Sequence, residues 1–215
     1  MRLIKEFEKM TQVHKPRGYL GCSIIGHPCD RYIWISKYGD VSVTCSFQKE
    51  RIFDRGRLEE ERIFNLIRKM KQIHLLSMQE EMKNGVLKGS CDAILKDGDG
   101  TFYILEIKTM HDKAFKELKR GGLAKSNPLY WAQCHAYMKL SGYIRKTIFL
   151  AVNKNDESMY EELIDYDPDL GDALLEKANR INDLTQMPEG SKSLSRKPQE
   201  CFRCHFHQFC YGDPS

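Results

Sequence analysis

The amino-acid sequence predicts an α/β fold in which helices flank a central mixed β-sheet. The first indication is a pair of strand-like segments, 86–95 and 101–109, joined by the turn-forming sequence Asp-Gly-Asp-Gly at 97–100. The second is a change of apolar period, because a helical pattern over 55–77 precedes these strands. The third is the alternation of helical and strand-like segments that follows, which favours a mixed sheet.

The individual elements are assigned in chain order from these periods. The helix over 55–77 has acids at Glu59–Glu61 in its first turn, where the helix dipole favours negative charge. Its apolar residues at helical spacing are Ile63, Leu66, Ile67, Met70 and Ile73. Asn127 and Pro128 mark the start of another helix. The remaining expected elements are a short aromatic-rich helix or turn at 28–36, helices at 111–120, 128–141 and 168–184, and strands at 144–152 and 159–164.

The composition is that of an ordinary globular chain, with 215 residues, 41% of them apolar and 30% charged. The charged N-terminus argues against a signal peptide, and no apolar run is long enough to span a membrane. We therefore expect a cytoplasmic protein that contacts no membrane. Disulfides rarely persist in that compartment, so the eight cysteines need another explanation where they cluster.

The positive charge is concentrated in one segment. A net charge of +4 is too small to indicate a nucleic-acid partner by itself. Within thirteen residues, however, five cations accompany a single acid, Glu117; the cations are Lys113, Lys116, Lys119, Arg120 and Lys125. Such a segment suits a phosphate backbone. A solvated helix face has the same composition, so the pattern leaves both interpretations open.

Two carboxylates and a lysine are expected to meet on the strand pair. Glu106 and Lys108 are two residues apart, so their side chains project to the same side of a strand. If the turn at 97–100 closes a hairpin, Asp92 comes opposite residues 104–106 and can approach Glu106. Two neighbouring carboxylates repel unless one is protonated or a cation lies between them. Hard oxygen ligands favour Mg²⁺ or Mn²⁺ over zinc at such a site.

Further candidate residues lie on the helices before and after the strands. Glu60, at the expected start of the long helix, is a third acid that could reach the cation, and Glu59 is the alternative. Gln133 and Tyr137 are four residues apart and share one face of the helix over 128–141. A glutamine and a tyrosine on one face can hold a phosphate or a nucleotide against a metal.

These pieces resemble the PD-(D/E)XK nuclease superfamily in their order and in the elements expected to carry them. They are Arg-Gly-Arg-Leu-Glu-Glu at 55–60, Gly-Ser-Cys-Asp at 89–92, Glu-Ile-Lys at 106–108 and Gln-Cys-His-Ala-Tyr at 133–137. The last piece is typical of the RecB-like exonuclease branch. A Glu-x-Lys pair alone is a weak signal. Glu60 stands where the CRISPR-associated relatives usually have histidine, which favours a phage-type enzyme.

The resemblance implies a fold, an activity and a set of residue roles. The fold is a restriction-endonuclease-like core, and the activity is metal-dependent hydrolysis of DNA from its ends. One or two Mg²⁺ or Mn²⁺ ions would be held by Asp92, Glu106, the Ile107 carbonyl and Glu60. Lys108 would assist the attacking water or stabilise the charge that develops on the phosphate, and Gln133 and Tyr137 would position the strand. DNA would be guided by Lys113, Lys116 and Arg120, with Tyr130 or Trp131 stacking on a base.

The cysteines near the C-terminus form a second motif. Cys201, Cys204 and Cys210 have the spacing C-x2-C-x5-C, and thiolates spaced so closely can bind a metal centre. The spacing does not distinguish an iron–sulfur cluster from zinc. One cysteine upstream, Cys29 in Gly-His-Pro-Cys-Asp-Arg-Tyr, and three downstream resemble the iron–sulfur exonucleases, which include the AddB nuclease domain and a CRISPR-associated family. That resemblance implies a 4Fe–4S cluster docking the tail to the N-terminal segment, with Cys22 the substitute ligand.

The expected organisation is one nuclease domain over residues 1–215. It comprises an N-terminal segment at 1–54, the nuclease core at 55–185 and the cysteine tail at 186–215. Two alternatives remain open: a non-catalytic DNA-end-binding or assembly subunit that keeps the fold, and a zinc-stabilised adaptor. Single-stranded DNA ends, 5′→3′ digestion, and a homo-oligomer or a recombination partner follow only from the resemblance.

Overall fold

A computed structural model describes residues 2–39, 43–189, 201, 204 and 206–211. The N-terminal part is a series of short elements. In chain order they are α1 (Leu3–Glu8), β1 (Gln12–His14), β2 (Leu20–Gly21), α2 (Cys22–Ile25), α3 (Asp30–Tyr38) and β3 (Val43–Cys45). The aromatic-rich segment is thus a helix, α3. Strands β1 and β3 pair antiparallel in a separate small sheet, in which Gln12 lies opposite Cys45.

The long helix α4 spans Phe47–Ile67, not 55–77. It starts early because the Ser46 side chain caps it, accepting a hydrogen bond of 3.3 Å from the Lys49 backbone N–H. After it ends, strand β4 follows over Ile73–Asn84. The prediction of a helix there was wrong: the residues after Ile67 continued the helical spacing by coincidence, while pairing with the next strand decided their conformation.

The main sheet is mixed, as the sequence predicted. Its other strands are β5 (Leu87–Asp97), β6 (Phe102–Met110), β7 (Lys146–Asn153) and β8 (Met159–Asp165). The order is β4-β5-β6-β7-β8, with β6 and β7 parallel and the other neighbours antiparallel. Strand β4 pairs with β5 along nearly its whole length. Strand β2, parallel to the start of β5, therefore shares the other edge of β5 with β6.

Helices cover both faces of this sheet. The first face packs against α4 through Ile63, Phe64 and Ile67, which contact buried residues of β5 and β6 such as Leu95 and Leu105. The second carries α2 and three further helices: α5 (Asp112–Ser126), α6 (Pro128–Ser141) and α7 (Pro168–Asn182). These three match the helices expected at 111–120, 128–141 and 168–184, although α5 continues past a kink at Gly122. No helix within the described ranges is long and apolar enough to cross a membrane.

The C-terminal segment lies against α3. Arg31 donates a hydrogen bond of 2.8 Å to the Pro188 carbonyl, and Trp34 donates one of 3.3 Å to the Leu184 carbonyl. Farther along, the Phe206 ring lies 5.1 Å from that of Tyr32, just before the short helix α8 (His207–Tyr211). Most of the expected tail at 186–215 lies outside the described residues. The described parts confirm that the tail docks on the N-terminal segment.

Candidate active site

The candidate site lies where β5 and β6 diverge. Their ladder runs from Lys96↔Phe102 to Ala93↔Leu105, and one step farther Asp92 is opposite Glu106. Beyond that point β5 pairs with β2, and β6 continues beside β7. The Asp92 carboxylate occupies the opening and accepts a hydrogen bond of 2.6 Å from the Ile107 backbone N–H. The hairpin register expected from the turn at 97–100 is therefore present.

Glu106 and Lys108 project into this opening together. Glu106 is 1% exposed, and one of its carboxylate oxygens accepts a hydrogen bond from the Lys108 ammonium. The Lys108 side chain remains 24% exposed, and its Nζ lies 5.2 Å from the centre of the Tyr130 ring. A buried carboxylate thus lies beneath a lysine that can still reach a molecule in the opening.

Glu60 reaches the same opening from helix α4. It lies in the middle of that helix, not in its first turn as the sequence suggested, and it is partly buried. Gln79 of β4 donates a hydrogen bond of 3.1 Å to the Glu60 carboxylate and also hydrogen-bonds Asp92. The alternative acid, Glu59, points elsewhere and pairs with Arg62 at 2.6 Å. Of the two acids, Glu60 is therefore the one that joins the cluster.

The pKa values of the cluster reflect acids that are buried close to one another. Burial, with the Asp92 charge adding to it, raises the pKa of Glu60 to about 7. Burial also raises the pKa values of Asp92 and Glu106, and Lys108 opposes both shifts. Burial lowers the pKa of Lys108, but Glu106 and Asp92 outweigh it, so the pKa is raised and the ammonium stays charged. The site therefore favours an added cation.

Gln133 and Tyr137 differ in their relation to the opening. Gln133 is buried at its wall and donates a hydrogen bond of 3.0 Å to the Tyr137 hydroxyl. That hydroxyl donates one of 2.7 Å to the Ser90 carbonyl, and Tyr137 does not line the opening. Tyr137 therefore braces Gln133 and β5, whereas the sequence suggested that it holds the substrate. Gly89 permits this contact, because a Cβ there would lie 2.8 Å from the tyrosine ring.

The opening widens into a groove of about 730 Å³. Tyr130 lines it, as the sequence suggested for a residue that contacts DNA. The expected backbone contacts Lys113, Lys116 and Arg120 are exposed on α5 and do not line it. The cations along its walls are Lys15, Arg17, Lys49, Arg57 and Lys108. Sequence reasoning missed the first four because they come from two separate segments, the loop after β1 and helix α4, and form no run in the chain.

The types of residue in the cluster suit a divalent metal ion. The Glu106 Oε2 is buried and has no hydrogen-bond partner among the residues that the structure describes, and the same holds for Gln133 Oε1. Buried polar atoms are seldom left unsatisfied, so such an oxygen requires a partner. Carboxylate oxygens of Asp92, Glu106 and Glu60 form a hard, anionic donor set, which Mg²⁺ and Mn²⁺ prefer.

Comparisons with known proteins bear on the fold. No family model matches the chain, and neither does any curated protein. Solved structures do: an alkaline exonuclease from Laribacter hongkongensis, LHK-Exo, matches with a TM-score of 0.54 and 14% identity over 83% of this chain and 90% of its own. This chain has the fold of an alkaline exonuclease.

Two further solved structures share this fold. The complex of LHK-Exo with dAMP gives a TM-score of 0.55 and 15% identity, covering 77% of this chain and 86% of that one. A protein named SSO0001 gives 0.54 and 17% identity, covering 99% of this chain and 93% of its own. At such identities the likeness concerns the fold, and the chemistry has to be argued from the residues.

The four motif cysteines lie at the junction between the chain ends. Cys29 is buried just before α3, and Cys201, Cys204 and Cys210 are partly exposed in the segment that contains Phe206. The backbone N–H of Cys204 donates to the Cys201 carbonyl at 3.0 Å, and that of Cys210 donates to the Phe206 carbonyl at 3.0 Å. Cys22, the substitute ligand, is fully buried against Gly89 in the core.

Proposed function

We propose that this chain is a DNA exonuclease that depends on Mg²⁺ or Mn²⁺. The observation that carries the proposal is that Glu60 and Lys108 line one cationic groove, with the buried acids Asp92 and Glu106 next to Lys108. The Glu106 Oε2 is buried and has no hydrogen-bond partner among the described residues. The structural neighbours, an alkaline exonuclease and its complex with dAMP, agree with this chemistry.

In this proposal Asp92, Glu106, the Ile107 carbonyl and Glu60 hold the ion. The bound ion would supply an acidified water and neutralise charge on the phosphate. The Ile107 N–H fixes one carboxylate oxygen of Asp92, and the other oxygen would contact the ion. Lys108, which its acidic neighbours keep protonated, donates to the attacked phosphate and stabilises the charge that develops there.

The groove would bind the DNA strand next to this cluster. Gln133, held by Tyr137, orients the reacting nucleotide, and the Tyr130 ring offers a surface on which a base can stack. The lining lysines and arginines contact the phosphate backbone, and Lys113, Lys116 and Arg120 extend that contact outside the groove. The family resemblance favours single-stranded ends digested 5′→3′ in phage or prokaryotic DNA recombination, repair or degradation, with a homo-oligomer or a recombination protein as partner.

Cleavage of end-labelled DNA tests the proposal. Wild-type protein with Mn²⁺ should release mononucleotides from 5′-labelled single strands, and Asp92→Asn and Lys108→Ala should each slow cleavage by about 10²-fold or more, because each removes a group acting in the transition state. Asp99→Asn, on an exposed residue of the turn, is the matched control and should cleave normally. Full cleavage by a folded Asp92→Asn variant would refute the metal assignment.

The same assay addresses the alternative of a non-catalytic DNA-end-binding subunit. That protein would bind the labelled ends and leave them intact whether or not Mn²⁺ is present. The structure favours catalysis because Lys108 lies directly over the buried Glu106, a pairing that end binding alone does not need. Comparing 5′-labelled with 3′-labelled strands, and single with double strands, then determines polarity and strand preference.

We also propose that Cys29, Cys201, Cys204 and Cys210 ligate a 4Fe–4S cluster that fastens the tail to α3. The docking of Pro188 and Phe206 on that helix supports this role. Protein purified without oxygen should be brown and contain iron, and Cys204→Ser should lose the colour and unfold at lower temperature, because the ligands close most of the chain into a loop. Colourless protein with bound zinc would mean a zinc site, the alternative for these thiolates.

A further inference from the structure

Three potential metal ligands meet outside the catalytic cluster and outside the cysteine motif. They are His14 of β1, Cys45 of β3 and Glu50 of α4. One ligand atom from each lies within 4.8 Å of the other two, and the His14 Nε2 is 2.7 Å from the Glu50 Oε1. Residues distant in the chain are thus brought together by the pairing of β1 with β3 and by the turn into α4.

The surroundings of this cluster form one closed side and one open side. Cys45 is 2% exposed and Glu50 is also buried, so both are held by the fold. The His14 side chain is 51% exposed. Both His14 and Cys45 line the groove that contains Lys108, whereas the buried Glu50 does not. An ion bound by the three would therefore have its remaining coordination position directed toward the groove.

The donor atoms indicate which ion would bind. An imidazole nitrogen, a thiolate sulfur and a carboxylate oxygen are together the ligand types of zinc sites, and sites with three protein ligands keep a fourth position open. A thiolate is a poor ligand for Mg²⁺ or Mn²⁺, so this site and the catalytic carboxylates select different metals. The Cys45 thiolate and the Glu50 carboxylate together carry two negative charges, which balance the charge of a divalent ion. This balance matters because the positive charge of Lys49 is nearby.

We propose that His14, Cys45 and Glu50 bind one zinc ion whose fourth position faces the DNA groove. The ion would join the small sheet of β1 and β3 to the start of α4, the helix that also carries Glu60. Water would occupy the fourth position in the resting protein. This proposal is independent of nuclease activity, since it concerns only which metal the folded chain retains.

Metal analysis of the full-length protein tests the proposal. Iron and zinc are measured per chain by elemental analysis after dialysis against metal-free buffer. The wild type should retain one equivalent of zinc more than His14→Gln, Cys45→Ser or Glu50→Gln, with the iron content unchanged in all four. His74→Gln, on an exposed histidine of β4, is the matched control and should retain the wild-type zinc content.

His14→Gln is the decisive variant because its side chain is largely exposed, so circular dichroism should show a folded protein. If folded His14→Gln and Glu50→Gln retain as much zinc as the wild type, the proposal is wrong. A tail that binds zinc instead of iron does not confuse the result, because only the difference between variant and wild type is compared. Substitution of the wild type with Co²⁺ should add a sulfur-to-cobalt absorption band that Cys45→Ser lacks.

Discussion

Gln79 has a left-handed backbone conformation with φ of 50°, which a residue with a side chain adopts at an energetic cost. It lies on β4 opposite Asp92, at the one position where the ladder between β4 and β5 passes from Met78↔Ala93 to Glu80↔Cys91. This conformation aims its amide at Glu60 and Asp92. The local strain is therefore located where two acids must be held side by side.

Replacement of Gln79 by alanine should weaken the site without unfolding the chain. Metal affinity should fall by about 10- to 100-fold, because Glu60 and Asp92 lose the donor that orients them. Titration of Mn²⁺ by calorimetry measures this change, and the rate of cleavage at saturating Mn²⁺ separates it from a direct chemical role. Gln48→Ala, on an exposed glutamine of α4, should bind Mn²⁺ normally; equal affinities in the two variants would exclude the role.

The positions of single residues were predictable from sequence where the alternation of side chains along a strand decides which face each side chain occupies. Asp92, Glu106 and Lys108 meet as expected because the turn fixes the register of the hairpin. Gln79 was not predictable, since the strand that carries it was not recognised. The position of Glu60 in the groove was expected, but its place in the middle of α4 was not, because the Ser46 cap precedes the apolar pattern that marked the helix.

Helix α6 and strand β5 touch at a point where only glycine fits. At Gly89 a Cβ would lie 2.8 Å from both the Tyr137 ring and the Cys22 sulfur. The tyrosine closes over this glycine and hydrogen-bonds the carbonyl of the next residue, Ser90. The contact therefore fixes the spacing of α6 from the strand that carries Asp92, and with it the position of Gln133.

Gly89→Ala should destabilise the protein by about 1–3 kcal/mol, because the added methyl group overpacks this contact. Denaturant unfolding measures the loss. Gly98→Ala is the matched control: its Cβ would meet nothing within 4 Å, so the free energy of unfolding should be nearly unchanged. A Gly89→Ala variant as stable as the control would mean that α6 can shift away from the sheet at little cost.

Elements were predictable where local signals and pairing agree. Helix α6 begins at Pro128 as expected because the Asn127 side chain accepts a hydrogen bond from the Tyr130 N–H and Pro128 suits the first turn. Strand β4 was missed because more than half of its residues face solvent and its sequence contains glutamate, glutamine and methionine, all good helix formers. Its conformation comes from pairing with β5, which no local pattern shows.

The acids of the cluster make the stability of the whole molecule depend on pH when no metal is bound. Their pKa values are raised in the folded chain, so at intermediate pH the folded state binds more protons than the unfolded state. Stability is then lost as the pH rises from the ordinary carboxyl range through about 7, the pKa of Glu60. A divalent cation should oppose that loss, because it favours the ionised carboxylates.

In the presence of a chelator the melting temperature should fall between about pH 5 and about pH 8, and Mn²⁺ should restore most of it at the higher pH. Glu106→Gln should flatten the dependence because an amide does not titrate. Differential scanning fluorimetry across this range measures both effects. A chelated wild type that melts at the same temperature throughout would show that these acids do not hold their protons.

The architecture as a whole followed from the sequence in its class and in the order of most elements. The pairing of strand β2 did not follow from the sequence. This strand lies beside the start of β5 through Leu20↔Leu87 and Gly21↔Lys88, a pairing between segments far apart in the chain. The docking of the tail on α3 was expected only through a family resemblance, since the contacts of Arg31 and Trp34 are with backbone carbonyls.

The tight turn between β5 and β6 affects the candidate site although it lies far from it. Asp97 fixes it by accepting hydrogen bonds from the N–H groups of Asp99 and Thr101 and from the Tyr103 hydroxyl. Asp92 is five residues away, about 17 Å along an extended strand. If the loop were one residue longer and the register of β5 against β6 shifted by one residue, Cys91 or Ala93 would lie opposite Glu106 in place of Asp92. A surface loop remote from any substrate thus constrains which atoms can ever meet at the reaction centre.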